Sequence, residues 1–152
     1  MEMIENNSEE KSIRIANDQF FIHVLSHINE GKSVIMNVAG NSMLPFLKHG
    51  EKIVIRPIKS TDYKFGRILL VRSNTGYILH RIVKVSKDKV ILAGDGNLSQ
   101  VEHIDKSDTL AVVEAVIRNN KQENVNSWSR LFAARIWFYS RPLRIVAYKL
   151  FK

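Results

Sequence analysis

The chain contains no cysteine, which excludes disulfides, thiolate metal sites and a cysteine nucleophile. It contains no apolar run of the ~20 residues that a bilayer-spanning helix needs. No segment repeats. Residues 127–152 contain no acid, while Arg130, Arg135, Arg141, Arg144, Lys149 and Lys152 give that stretch 6 of the 8 net positive charges. The body of the chain is therefore near neutral. A nucleic-acid partner inferred from overall basicity would mislead, and no nucleic-acid-binding motif is present. The first dozen residues carry Glu2, Glu5, Glu9 and Glu10 and little apolar surface. Residues 1–12 read as a disordered polar tail and not as a secretory signal.

What is present is enough for one domain with a core: 152 residues, 45% of them hydrophobic and 25% charged. Phe20, Phe21, Val24, Leu25 and Ile28 recur at helical spacing, which predicts a helix over 17–30, capped by Asn17 or Asp18 and ended by Gly31. His23 and His27 stand at a metal-ligand spacing. No further histidine or carboxylate motif supports them, so no metal or other cofactor is expected. From 34 to 118 the pattern is of short Val-, Ile- and Leu-rich segments separated by turn residues. Strands are expected at 34–38, 52–56, 67–72, 77–86, 89–93 and 109–117, with hairpin turns at 73–76 and 86–89. Consecutive hairpin-linked strands argue for a mainly β fold, an antiparallel curved sheet or partly open barrel. Residues 119–126 read as a polar linker. Ser127 then opens an amphipathic basic helix, with Pro142 interrupting it and Ser140 as a second cap. That segment fits an interfacial helix on an anionic membrane surface, or a basic-faced helix packed on its own domain.

Three segments could carry chemistry. Gly40-Asn41-Ser42-Met43-Leu44-Pro45 is a serine-bearing loop between two apolar runs, which can offer a hydroxyl nucleophile and unpaired backbone N–H groups. A serine in such a place is also an ordinary turn residue. His80, sharing a strand face with Ile78 and Ile82, could be a general base or a core histidine held by a carbonyl. Gly94-Asp95-Gly96-Asn97 places a carboxylate in a Gly-flanked loop. Asp95 could orient His80, or could merely form an Asx turn; Glu102 and Asp105 could take the orienting role instead.

Taken in order, these segments resemble the superfamily of signal peptidase I and the LexA-type self-cleaving repressors. Ser42-Met43-Leu44-Pro45 is similar to that family's nucleophile box. Asp62-Tyr63-Lys64-Phe65-Gly66-Arg67-Ile68-Leu69-Leu70-Val71 is similar to the strand that follows it. His80-Arg81-Ile82 stands where bacterial signal peptidases and LexA carry a catalytic lysine, and where the endoplasmic-reticulum type carries histidine. Gly94-Asp95-Gly96-Asn97 resembles the Gly-Asp-Asn box. The resemblance covers residues 33–117. It implies a curved antiparallel β fold, with 13–118 as the catalytic domain and 119–152 as linker and basic helix. It also implies peptide-bond cleavage by Ser42 with His80 as base, Asp95 as third member and Glu102 in reserve. The backbone N–H groups of Asn41 and Ser42 would hold the oxyanion. An extended peptide with a small residue before the cut would lie along 38–43.

The chain departs from that family in three ways. Gly40 stands where bacterial signal peptidases often have a hydroxyl residue. The ~40 residues before Ser42 form neither a membrane helix nor a repressor's DNA-binding domain. The expectation is a serine endopeptidase of precursor or leader peptides, in the cytoplasm or at the membrane face. The competing expectation is an inactive peptide-binding module on the same fold.

Overall fold

The computed structural model describes residues 18–151. The expected N-terminal tail and the Asn17 cap lie outside the described residues. Helix α1 covers 18–29. It buries Val24 and Ile28 and stacks Phe21 on Tyr77, with ring centroids 4.0 Å apart. The chain leaves it through Gly31, whose φ of +80° lies in the left-handed region that glycine adopts without a steric penalty. His27 Nδ1 lies 2.9 Å from the carbonyl of His23, a contact within the helix. No group of metal-ligating side chains occurs among the described residues.

Eight strands follow: β1 Val34–Asn37, β2 Lys52–Arg56, β3 Ile68–Ser73, β4 Gly76–Val85, β5 Lys89–Ala93, β6 Glu102–Asp105, β7 Thr109–Arg118 and β8 Lys121–Asn124. All pairings are antiparallel, in the order β1-β2-β7-β3-β4-β5-β6. The sheet is open, so β1 and β6 are edges. β7 is its spine. One side of β7 pairs with β2, and the other with β3 and then β8. Bulges at Val54/Ile55, Leu70/Val71 and Ile82/Lys84 let so long a sheet bend.

The bend gives the sheet two cores. Ile68 and Leu70 point into one, with Val24, Met43, Leu47, Ile53 and Ile55. Leu69 and Val71 point into the other, with Ile82, Val90, Leu92 and Val112. The period of two along β3 buries both of its faces, which is why it reads as a continuous apolar run.

Two strands were not expected from the sequence. β6 has a single large apolar residue, Ile104, and lies at an edge. β8 is Lys-Gln-Glu-Asn, mostly exposed, and turns 119–126 from the expected linker into a hairpin on β7. Asn119 and Asn120, with φ of 50° and 59°, make its turn; asparagine tolerates that conformation better than other side chains. Neither strand buries enough alternating apolar surface to show in sequence. Their backbone pairing holds them.

The C-terminal segment is two helices, α2 Trp128–Tyr139 and α3 Arg141–Leu150. Pro142 falls in the first turn of α3, where its missing N–H costs nothing.

Candidate active site

Ser42 lies in the loop between β1 and β2. Val38, Met43 and Leu47 are buried and hold the loop from inside. Val38 N–H donates to the Glu51 carbonyl and Gly50 N–H to the Val38 carbonyl, both at 2.8 Å, closing the loop's base. Gly40 has φ +80° and donates its N–H to His49 Nδ1. The Ser42 carbonyl accepts from Gly96 N–H at 2.8 Å. Among the described residues the Asn41 and Ser42 N–H groups have no hydrogen-bond partner. Two neighbouring donors are thus open beside the hydroxyl.

His80 stands on β4 opposite Leu69 and is 6% exposed. Its Nδ1 lies 2.8 Å from Glu102 Oε2. The strand register explains the contact. Ile82 pairs with Leu92, and Leu92 with Glu102. His80, two residues before Ile82, shares its face. Glu102 therefore reaches His80 diagonally across β5, on the face of the second core. A neutral ring donating Nδ1–H to that carboxylate keeps the Nε2 lone pair free.

The free nitrogen faces the Ser42 loop. A Cβ added to Gly94 would stand 3.0 Å from His80 Nε2 and 2.7 Å from the Ser42 carbonyl. Those two atoms are therefore no further apart than the sum of these distances. Glycine at 94 is what permits the approach. Ser42 and His80 do not hydrogen-bond to each other in this structure; they line one cleft of about 140 Å³ with Phe21, Met36, Val38 and Tyr77. A second, larger and more open groove of about 530 Å³ begins at Ile78 and His80 and runs past Glu102 toward Asp105 and Asp108. Ile78 and His80 line both, standing between an apolar cleft and a polar groove.

Asp95 lies elsewhere than expected. Its carboxylate accepts from Arg81 Nε at 2.8 Å and Nη2 at 2.7 Å, and the pair is buried, with side-chain exposures of 4% and 6%. Arg81 follows His80 on β4, so its side chain leaves by the opposite face. It also donates to the Gly66 carbonyl and lies over the Phe46 ring. The expected Asp95–His80 contact is not formed, because the carboxylate is committed to the arginine next to the histidine. Asp105 pairs with Lys89 on the outer strands.

Residues 2–117 match the family described as Peptidase S24-like. The chain belongs to that family. Comparison with curated proteins and with solved structures returns no match. An S24-like chain with an open, mainly antiparallel sheet fits a serine-peptidase-like fold, and the Gly40–Pro45 loop, the β4 histidine and the Gly94–Asn97 loop all fall inside the matched span.

The helices α2 and α3 lie beyond that span, yet they touch the site's support. Trp137 Nε1 donates to the Asp95 carbonyl at 2.8 Å, Arg144 Nη1 reaches the same oxygen at 3.4 Å, and Arg141 Nη2 donates to the Gly94 carbonyl at 3.1 Å. Burial, and then the charge of Arg144, pushes the Arg141 guanidinium below its ordinary pKa; burial does the same to Arg144. Both cations accept that cost while bonded to backbone carbonyls of the 94–95 loop. Sequence reading missed these three residues and Arg81. Its one usable signal was the position of Trp137, Arg141 and Arg144 at i, i+4 and i+7, a single helix face.

Proposed function

We propose that this S24-like protein is a serine endopeptidase in which Ser42 is the nucleophile, His80 the general base and Glu102 the carboxylate that orients His80. The observation that carries this reading is the fixed imidazole. Glu102 holds Nδ1, leaving Nε2 toward the Ser42 loop in a shared cleft. In the reaction, Ser42 Oγ attacks the scissile carbonyl as its proton passes to His80 Nε2. The Glu102 carboxylate stabilises the imidazolium through Nδ1–H. The tetrahedral oxyanion is met by the Asn41 and Ser42 N–H groups. Its collapse breaks the C–N bond, and His80 returns the proton to the leaving amine. Water, deprotonated by the same nitrogen, then hydrolyses the ester on Ser42. The looser Ser42–His80 geometry is what a site without substrate often has. A histidine base is the feature this chain would share with endoplasmic-reticulum-type signal peptidases.

The substrate in this reading is an extended segment of a precursor or leader peptide. It would add to the free edge of β1, with an apolar side chain in the cleft walled by Phe21, Met36, Val38 and Tyr77. A serine-directed acylating probe tests the chemistry. The intact protein should become labelled and Ser42→Ala should not. His80→Ala should label at a rate lower by about 10²–10⁴-fold. Equal labelling of Ser42→Ala would refute the assignment. Binding of peptides without acylation or cleavage would favour the inactive module.

A further inference from the structure

Among the described residues, 9 of the 14 exposed large apolar side chains belong to α2, α3 and Phe151. They are ordered. Trp128, Phe132 and Ile136 recur at i, i+4 and i+8, one stripe of α2; Leu143, Val146 and Leu150 recur at i, i+3 and i+7, one stripe of α3. Trp128 is 80% exposed and Leu143 75%. Ala134, Trp137, Arg141 and Arg144 fall on the opposite face and dock on the domain. Ser140 between the helices has φ −77° and ψ −3°; its N–H donates to the Ile136 carbonyl and its carbonyl accepts from Arg144 N–H, both at 3.0 Å, so i−4 bonding carries across the joint. The segment has an inner face bound to the 94–95 loop and an outer apolar face that no described residue covers. Soluble monomers rarely leave so large an apolar surface open.

The charges facing outward choose the cover. Arg130 pairs with Glu123, and Arg141 and Arg144 are turned inward. Arg135, whose guanidinium lies over the Phe65 ring, and Lys149 remain exposed beside the stripes, and no acid lies within 127–152. A second copy docking face to face about a two-fold axis would bring like charges together. Anionic headgroups would meet cations, and the rings would sit at the headgroup boundary, where tryptophan is favoured.

We propose that the outer face of α2 and α3 is a docking surface for an anionic lipid bilayer. It lies in the interface plane, and no helix among the described residues is long and apolar enough to cross a membrane. The inner face then sets the orientation. It grips the loop whose Gly96 N–H holds the Ser42 carbonyl, so the candidate active site is carried at a fixed place relative to the bilayer.

Because the inner face supports the site, deleting the helices would confuse docking with folding. The test uses outward substitutions in the full chain. Co-sedimentation is measured with phosphatidylcholine vesicles with and without phosphatidylserine, and the fold is monitored by circular dichroism. The intact protein should sediment with the anionic vesicles and be released by high salt. Each cation near an anionic surface strengthens binding about five-fold, so Arg135→Gln with Lys149→Gln should weaken it by roughly thirty-fold. Trp128→Ser with Leu143→Ser should abolish it while the melting temperature stays unchanged. Ser42→Ala should bind as the intact protein does, which separates this result from the fate of the peptidase reading. The proposal is overturned if vesicles are ignored, if neutral and anionic vesicles bind equally, or if sedimentation velocity shows a dimer that the Trp128/Leu143 substitutions disperse without any lipid binding.

Discussion

Replacing Asp95 by alanine separates a structural acid from a catalytic one. The carboxylate takes two hydrogen bonds from Arg81, and both side chains are almost fully buried. Removing it leaves a guanidinium with the Gly66 carbonyl and the Phe46 ring as its remaining partners. Breaking a buried pair from one side costs about 3–5 kcal/mol, because the surviving charge is uncompensated. For a chain of this size each kcal/mol lowers the melting temperature by roughly 2–4 °C, so a fall of about 6–20 °C is expected. Urea titration at constant m-value reads the same loss as a shift in midpoint. The double replacement Arg81→Met with Asp95→Leu removes both charges and should be milder than Asp95→Ala, since nothing is left unpaired. At a temperature where every variant is folded, Asp95→Ala should keep far more turnover than Glu102→Ala. The reasoning fails if Asp95→Ala melts with the parent while its turnover collapses as far as that of Glu102→Ala. In that outcome Asp95 takes part in the reaction as much as Glu102 does.

Glu102→Ala should lower the acylation rate by about 10²–10⁴-fold with little change in melting temperature, because the residue lies on an edge strand; retained rate would remove it from the machinery. Acid should loosen the Ser42 loop. The Arg118 guanidinium, at 2.7 and 3.0 Å, holds the Glu51 carboxyl below its ordinary pKa, burial opposes this, and the Lys48 N–H adds to the lowering. A carboxyl depressed in the folded state contributes stability that is complete above its unfolded value, about 4.3, and lost as pH falls through the lower folded value. Urea midpoints should therefore drop below about pH 4, and Arg118→Met should flatten that part of the profile; an unchanged slope would show that other groups cause the acid loss.

The sequence by itself determined what is local. Apolar alternation between turn residues marked β1–β5 and β7, and the run at 20–28 marked α1, because burial of alternating or helical faces writes a period into the chain. The order of the serine loop, the β4 histidine and the Gly-flanked aspartate resembled the boxes of the signal peptidase and LexA superfamily, and it was that resemblance that implied a serine-peptidase-like fold. What tertiary structure decided was partnership. Asp95 and Glu102 are both acids that follow β5, two and nine residues on, and composition cannot rank them. The register Ile82–Leu92–Glu102 sends Glu102 to the face of His80, while alternation along β4 sends Arg81 to the other face, where it captures Asp95. That register needs β6, and β6 is a short polar edge held by backbone bonds, which leave no mark in side-chain hydropathy. The C-terminal segment divided in the same way. Its six cations were plain in sequence, but docking on the 94–95 loop turned Arg141 and Arg144 inward and left the apolar stripe outside. Which face of a helix meets the domain depends on the surface it packs against, and that surface exists only once the sheet has folded.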